Sequence, residues 1–396
     1  MAGCTCGGAL EVHYEPGAVD RTAARSWMST RGDSLWQYRA LLPLPEGEPG
    51  VSLGEGQTPL HASEMLRRAY GHAGIFLKNE SVNPTWSHKD RYHSVTVSMA
   101  RAFGFSRLVT ASTGNHGISA AAYASRAGIQ CVVMFASETS PVMWQLAGLY
   151  GAQAVVTSFD GRETLMDALA RRAGWYPAGG FGGDGPGDPF GIEGYKTIAY
   201  EVVRQLDGAP DLVLVPVGGG NLLYGIWKGF QDARAIGMTH ETPHMVACHA
   251  AGANVLERAL REGRDDVPQL PDAFSVATST REKGAGLHAL RAVRASGGFA
   301  ISVSEDEILD AVRLLGAEGL CAETASAISV ASAIRLLRQG AVNADQRIVC
   351  IVTSAGVKWP EVLPEVSRPP KRMLAAPEDL DRVLEQIEAG TPGHRR

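Results

Sequence analysis

Residues 213–230 read "VLVPVGGGNLLYGIWKGF". Apolar side chains run without a break into Gly218, Gly219, Gly220 and Asn221, and a helical pattern begins at once. A strand with no polar alternation is one covered on both faces. Bare glycines at the following turn let backbone N–H groups close around an anion, and the helix start adds the positive end of its dipole. The plain alternative is a tight strand-to-helix turn. Working outward, "RLVTAS" (107–112), "QCVVMFA" (130–136), "QAVVTSF" (153–159), "HMVACHA" (244–250), "FAISVS" (299–304) and "RIVCIVTS" (347–354) have the same character. The strand above is expected over 211–217. Helical spacing fills 192–206 and 304–317, the latter opened by a capping box of Ser304 and Glu307. This alternation predicts α/β architecture with mostly parallel, doubly wound sheets, whose sites lie at the carboxyl ends of the strands.

With 396 residues the chain can bury a large core, as one large domain or two. The net charge of -5 offers no basic field for nucleic acid. No apolar run reaches the ~18–20 residues that span a bilayer, and the start lacks a secretory pattern; a cytoplasmic protein is expected. Cys131, Cys248, Cys321 and Cys350 sit in apolar surroundings and read as reduced core residues. Cys4 and Cys6 hint at a zinc knuckle, but a closed site needs four ligands, so a metal-free stub is expected. The Gly-rich stretch 174–191 reads as a long loop between two α/β halves, with no regular structure.

The glycine turn has to be matched to a ligand. A dinucleotide fold would place an acid at the end of the next strand, yet that strand ends with Cys248 and His249. A P-loop needs Gly-Lys-Ser/Thr, which is absent. A small phosphorylated cofactor remains. "NPTWSHKDR" (83–91) sets Lys89 just before a helix. Pyridoxal 5'-phosphate carries an aldehyde that needs a lysine and a phosphate that needs an anion nest, so Lys89 and the turn 218–221 are complementary. The loop "ASTGNHG" (111–117) offers N–H groups and hydroxyls for an amino-acid carboxylate; alternatively Ser112 or Thr113 is an ordinary helix cap. The strand end "VTSAG" (352–356) offers a hydroxyl, which cannot keep a pyridine nitrogen protonated as a carboxylate could. That favours elimination and replacement at Cβ or Cγ over transamination.

These stretches, together with "CTCGGALEVHYEP", "SLWQYRALLPLPEG", "VSLGEGQTPL" and "GIEGYKT", resemble the threonine synthase family. Its pyridoxal-phosphate fold (fold type II, tryptophan-synthase-β-like) is shared by threonine and serine dehydratases. The resemblance implies that Lys89 forms the Schiff base and carries the Cα proton. Asn115 is implied to meet the ring hydroxyl. Gly218, Gly219, Gly220, Asn221 and Leu222 are implied to hold the phosphate. Thr353 is implied to face the ring nitrogen, with Ser354 as fallback. Ser112, Thr113, Asn115 and His116 are implied to line the substrate carboxylate. Glu323 matches an acidic position, or is simply a helix-start carboxylate. The family reaction converts O-phosphohomoserine to threonine; a dehydratase, a β-replacement enzyme or a non-catalytic cofactor-binding relative are the alternatives. A small amino-acid substrate and a homodimer are implied.

The resemblance also maps regions: a 1–48 extension, a cofactor domain from 49–94 and 192–362, a smaller mobile substrate domain 95–191, and a tail 363–396 ending in a charged helix. Four positions depart from the family. Trp86 replaces a glycine, which suggests a reshaped pocket, and His88 replaces an aromatic residue. Asn115-His116 replaces Asn-Thr and is similar to the dehydratase version. Gly191 stands where an arginine helps hold the substrate phosphate; Lys78, Arg162 or Lys196 are the candidates to compensate. His88 and His93 are expected to be ordinary polar residues rather than acid-base catalysts.

Overall fold

A computed structural model describes residues 10–15, 21–179 and 187–367, with Arg382 and Glu385. Cys4, Cys6 and most of the expected C-terminal helix lie outside the described residues. Ten strands form two sheets: β1 (Leu60–Ala62), β2 (Ile75–Asn79), β3 (Arg107–Ser112), β4 (Gln130–Ala136), β5 (Gln153–Thr157), β6 (Tyr176–Pro177), β7 (Leu212–Pro216), β8 (His244–Ala250), β9 (Phe299–Val303) and β10 (Ile348–Val352). The six-stranded sheet runs β1-β2-β10-β7-β8-β9, and the four-stranded sheet β5-β4-β3-β6. Every pairing is parallel except β1 with β2.

The unbroken apolar strands have the predicted cause. In β7, Val213 and Val215 pack into one core while Leu212 and Leu214 pack into another on the opposite face. In β10, Val349 and Ile351 divide from Ile348 and Cys350 in the same way. Burial on both faces removes the polar alternation that a half-exposed strand would show. All seven expected strands are present, but β5 lies at the edge of the small sheet and none of its residues is buried, against the expectation of a strand covered on both faces.

Two readings need correction. The stretch 174–191 holds some regular structure: β6 pairs with β3, and a helix starts at Pro189, ahead of the expected 192. Cys321 is exposed rather than in the core, whereas Cys131, Cys248 and Cys350 are buried.

The large sheet converges on one edge of the site. Ser87 bridges Ser354, and the His88 N–H donates to the Thr353 carbonyl at 2.9 Å. These contacts fix the segment before Lys89 to the carboxyl end of β10. Helix Pro189–Leu206 crosses helix Lys89–Ala102 where Gly194 meets the Arg91 carbonyl; any Cβ there would collide.

Candidate active site

A cavity of about 440 Å³ opens at the carboxyl ends of β3, β7 and β10. Lys89 is the first residue of helix Lys89–Ala102 and faces this cavity. Its amine donates to the Tyr195 hydroxyl at 3.3 Å. Burial pulls its ammonium down to about 8, against the opposing fields of Glu282 and Glu323. Half of this lysine is therefore a free amine near pH 8, where an ordinary surface lysine would be almost wholly protonated.

Across the cavity lie Gly218, Gly219 and Gly220, with Asn221 and Leu222 opening helix Asn221–Ala235. Gly220 is the N-cap, in a left-handed conformation (φ 90°), and no side chain caps the helix. A Cβ on Gly219 would meet nothing within 4 Å, so the turn faces open space; one on Gly220 would strike Ala289. Uncapped helix N–H groups around an open, side-chain-free turn suit a phosphate.

β3 leads into the loop expected to receive the substrate carboxylate. Ser112 is buried, and its hydroxyl accepts from the Gly114 and Gly117 N–H groups at 2.9 and 2.8 Å. It organises the start of helix Asn115–Ala127, as the capping alternative anticipated, while still lining the cavity beside Thr113. Asn115 donates to Glu323 at 2.9 Å and accepts from the Ser354 hydroxyl at 3.2 Å. Glu323 also accepts from Ser279 at 2.8 Å and from the Trp359 indole at 3.0 Å. Although Glu323 is the N-cap of helix Thr324–Arg338, its side chain does not cap that helix. Its carboxylate belongs to the cavity wall.

The strand end separates two candidates. Thr353 lines the cavity, with its hydroxyl 2.9 Å from that of Ser326. Ser354 is fully buried, and its hydroxyl is turned to Asn115.

The histidines are neutral. His116 reaches the Ala178 carbonyl through Nε2 at 2.7 Å, so Nε2 carries the proton and Nδ1 accepts. The His93 Nε2, 3.1 Å from that Nδ1, must then be the donor. Both rings are engaged by protein groups, and burial pushes His116 down to about 3. His93 is buried behind the cavity wall. His88 lines the cavity, donates through Nδ1 to the Thr353 carbonyl at 3.1 Å, and is held well below its ordinary value by burial.

Trp86 does not reshape this pocket. It lies outside the cavity lining and is 38 % exposed, on a backbone with φ 61°. Of the three cations considered as compensation for Gly191, Lys78 and Lys196 are buried in ion pairs away from the cavity, and only Arg162 lines it. Sequence reasoning missed Tyr195 and Glu282. Tyr195 lies in "GIEGYKT" and gains its meaning only from facing the Lys89 amine. Glu282 sits in a polar loop with no local pattern to mark it.

The family described as "Pyridoxal-phosphate dependent enzyme" matches residues 51–354. The chain belongs to the pyridoxal-phosphate-dependent enzymes. It is 34% identical over 392 residues to a threonine synthase from Methanocaldococcus jannaschii, covering 97% of this chain and 95% of that one. A threonine synthase from Methanosarcina acetivorans is 33% identical over 389 residues, with 96% and 93% covered. Among solved structures, the processed form of threonine deaminase isoform 2 from Solanum lycopersicum has a TM-score of 0.70 at 22% identity, covering 91% of this chain and 96% of that one. Maize serine racemase has 0.68 at 19%, covering 94% and 99%. The fold is thus type II, and this pyridoxal-phosphate enzyme is a lyase of threonine-synthase type. The open glycine turn, the amine of lowered basicity and the strand-end hydroxyl fit that cofactor. No described helix is long and apolar enough to cross a membrane.

Proposed function

We propose that the cavity holds pyridoxal phosphate with its phosphate on Gly218–Leu222 and its aldehyde toward Lys89, and that a small α-amino acid is processed there by elimination or replacement at Cβ or Cγ. The observation that supports this most is the sharing of one cavity by Lys89, the uncapped turn 218–221 and the loop 112–116. Bound cofactor supplies an aldehyde and a conjugated ring that takes up negative charge from Cα.

The protein supplies the rest. Lys89 takes a proton at Cα and returns it; its depressed basicity leaves the amine free to do so near neutral pH. Thr113 and the backbone N–H groups of the loop receive the carboxylate, with Ser112 and His116 fixing the loop's shape. Asn115, oriented by Glu323 and Ser354, meets the ring hydroxyl. Thr353 offers the ring nitrogen a hydroxyl, which cannot keep it protonated.

Two relatives carry the name threonine synthase over nearly their whole length, which makes O-phosphohomoserine the first compound to assay. Loading of the apoenzyme tests the centre itself. Borohydride reduction and peptide mapping should find a pyridoxyl group on Lys89, and the loading rate should fall about tenfold per pH unit below 8, as the amine protonates. Trapping at another lysine, or a loading rate flat from pH 6 to 9, would refute the assignment.

A further inference from the structure

The charges that line the cavity are arranged in pairs. Among its described lining residues the cations are Lys89, Arg162 and Lys283, and the carboxylates are Asp160, Glu163, Glu282 and Glu323. Arg162, on helix Gly161–Ala173, is 4 % exposed. Its guanidinium lies 3.5 Å from Glu282 and 3.8 Å from Glu163, donates to the Phe159 carbonyl at 2.9 Å, and sits 3.8 Å over the Phe159 ring. Lys283 is 3.7 Å from Asp160. Lys89 is reserved for the reacting centre.

Among these described residues every cation has a carboxylate in its neighbourhood and the carboxylates outnumber the cations, so a phosphate monoester on the substrate meets no net positive field, although the Lys283–Asp160 contact is solvent-exposed. Lys78 is 2.7 Å from Glu201 and Lys196 is 2.7 Å from Asp232, both outside the cavity. The remaining position, Gly191, is closed by packing. A Cβ there would lie 2.7 Å from the Tyr92 ring and would collide with the Thr96 hydroxyl, so no basic side chain fits. The stretch 180–186, "GFGGDGP", contains no lysine or arginine.

We infer that the cavity selects amino acids whose departing group is uncharged, such as a hydroxyl, over phosphorylated ones, and that the Glu282–Arg162 pair imposes this selection. An anion at Arg162 meets the negative charges of Glu282 and Glu163, which lie 3.5 and 3.8 Å from the same guanidinium, and a cation at Glu282 meets the charge of Arg162. A hydroxyl accepts from the guanidinium and donates to the carboxylate with the pair intact. The polar wall thereby recognises a neutral group by hydrogen bonds and opposes a charged one through the like charge beside it. Burial raises the Glu282 carboxyl above its ordinary value. This inference rests on the proposed amino-acid chemistry at Lys89.

Matched substrates test it on the holoenzyme. kcat/KM is measured for serine against O-phosphoserine, for homoserine against O-phosphohomoserine, and for 2,3-diaminopropionate as a cationic member. The hydroxyl compound of each pair should be preferred by about tenfold or more, and Glu282→Gln should narrow that gap by about tenfold, because a freed guanidinium gains a charge-assisted bond to phosphate. Inorganic phosphate should fail to compete with the amino acid in the unaltered enzyme and should compete in Glu282→Gln. A wild-type preference for either phosphorylated compound, or for the diamine, overturns the inference, and neither measurement requires the variant to fold. Turnover of the phosphorylated compounds by the untreated holoenzyme, with a separate borohydride-reduced sample carrying its pyridoxyl group on Lys89, would overturn the selectivity and leave the active-site reading standing. Absence of any turnover or spectral response to every amino acid would remove that reading and the selectivity with it.

Discussion

Lys358 shows how a single buried residue shapes the reactive turn. It is 1 % exposed, and its amine donates to the carbonyls of Thr85 at 3.0 Å and Trp86 at 3.2 Å. Trp86 occupies φ 61°, a region that disfavours a side chain by roughly 1–2 kcal/mol. The tether helps hold that conformation three residues before Lys89. Replacing Lys358 with Met leaves the Thr85 carbonyl without this donor, while Trp86 keeps the Ala355 N–H at 3.0 Å. Urea titration at pH 7 should show a loss of about 1–3 kcal/mol. Burial lowers the folded-state Lys358 to about 8, below its ordinary value of 10.5. The unfolded chain then binds the extra proton between those values, so wild-type stability rises with pH there and the deficit of the Met variant should widen. A deficit that shrinks over that window would show that the amine is not held as described. The sequence showed Trp86 as an oddity beside a lysine and suggested a pocket residue. Its outward direction depends on a contact from position 358, which no local pattern could reveal.

At the scale of elements, Arg91 joins the lysine helix to its supports. Its guanidinium meets Glu80 at 2.7 and 2.8 Å and Glu201 at 2.5 and 2.8 Å, and Lys78 meets Glu201 at 2.7 Å. All four side chains are fully buried. The network links β2, helix Lys89–Ala102 and helix Pro189–Leu206, and the two cations hold the Glu201 carboxyl far below its usual range despite burial. Arg91→Met removes the cation shared by Glu80 and Glu201, leaving Lys78 on Glu201 and the Thr58 hydroxyl between the two carboxylates. A loss of about 3–5 kcal/mol is expected from denaturant unfolding, since breaking one side of a buried pair strands the other charge. A loss below about 1 kcal/mol would mean that these carboxylates take up protons or water instead. This network also explains what the sequence concealed. Most of the seven strands with unbroken apolar runs were legible because both faces are covered; β5, an edge strand with no buried residue, is the exception. β2, "IFLKN", was not legible, although it lies between β1 and β10, because Lys78 makes it look like a surface turn until Glu201 is brought 123 positions along the chain to meet it. In the site, Lys89, the glycine turn and the loop 112–116 could be read from adjacent residues. Glu282 and Tyr195 could not, because their meaning lies in which distant groups they face.

For the molecule as a whole, burial of neutral imidazoles sets the response to acid. His116 is lowered to about 3, His249 and His288 to about 4, and His88 and His93 well below 6.5, in each case chiefly by burial. All five take up a proton near pH 6.5 once unfolded, so the unfolded chain binds more protons below that value and stability falls as pH drops. Asp90 and Asp188 act in the opposite sense. Burial raises both to about 6 from 3.8, so the folded chain holds their protons between those values. Five groups against two leave a net excess of roughly three protons on the unfolded chain near pH 5, or roughly 4 kcal/mol per pH unit. Urea midpoints of the apoenzyme should therefore be similar at pH 7 and 8 as far as these groups are concerned, then fall steeply between pH 6.5 and 5. His93→Phe removes one of those protons, and the slope of unfolding free energy near pH 5 should decrease by about 1.4 kcal/mol per pH unit. A midpoint that stays level down to pH 5 would require these rings to carry charge in the folded protein. That is incompatible with the direction of the His93–His116–Ala178 hydrogen-bond chain, because a protonated His116 has no lone pair to accept from His93.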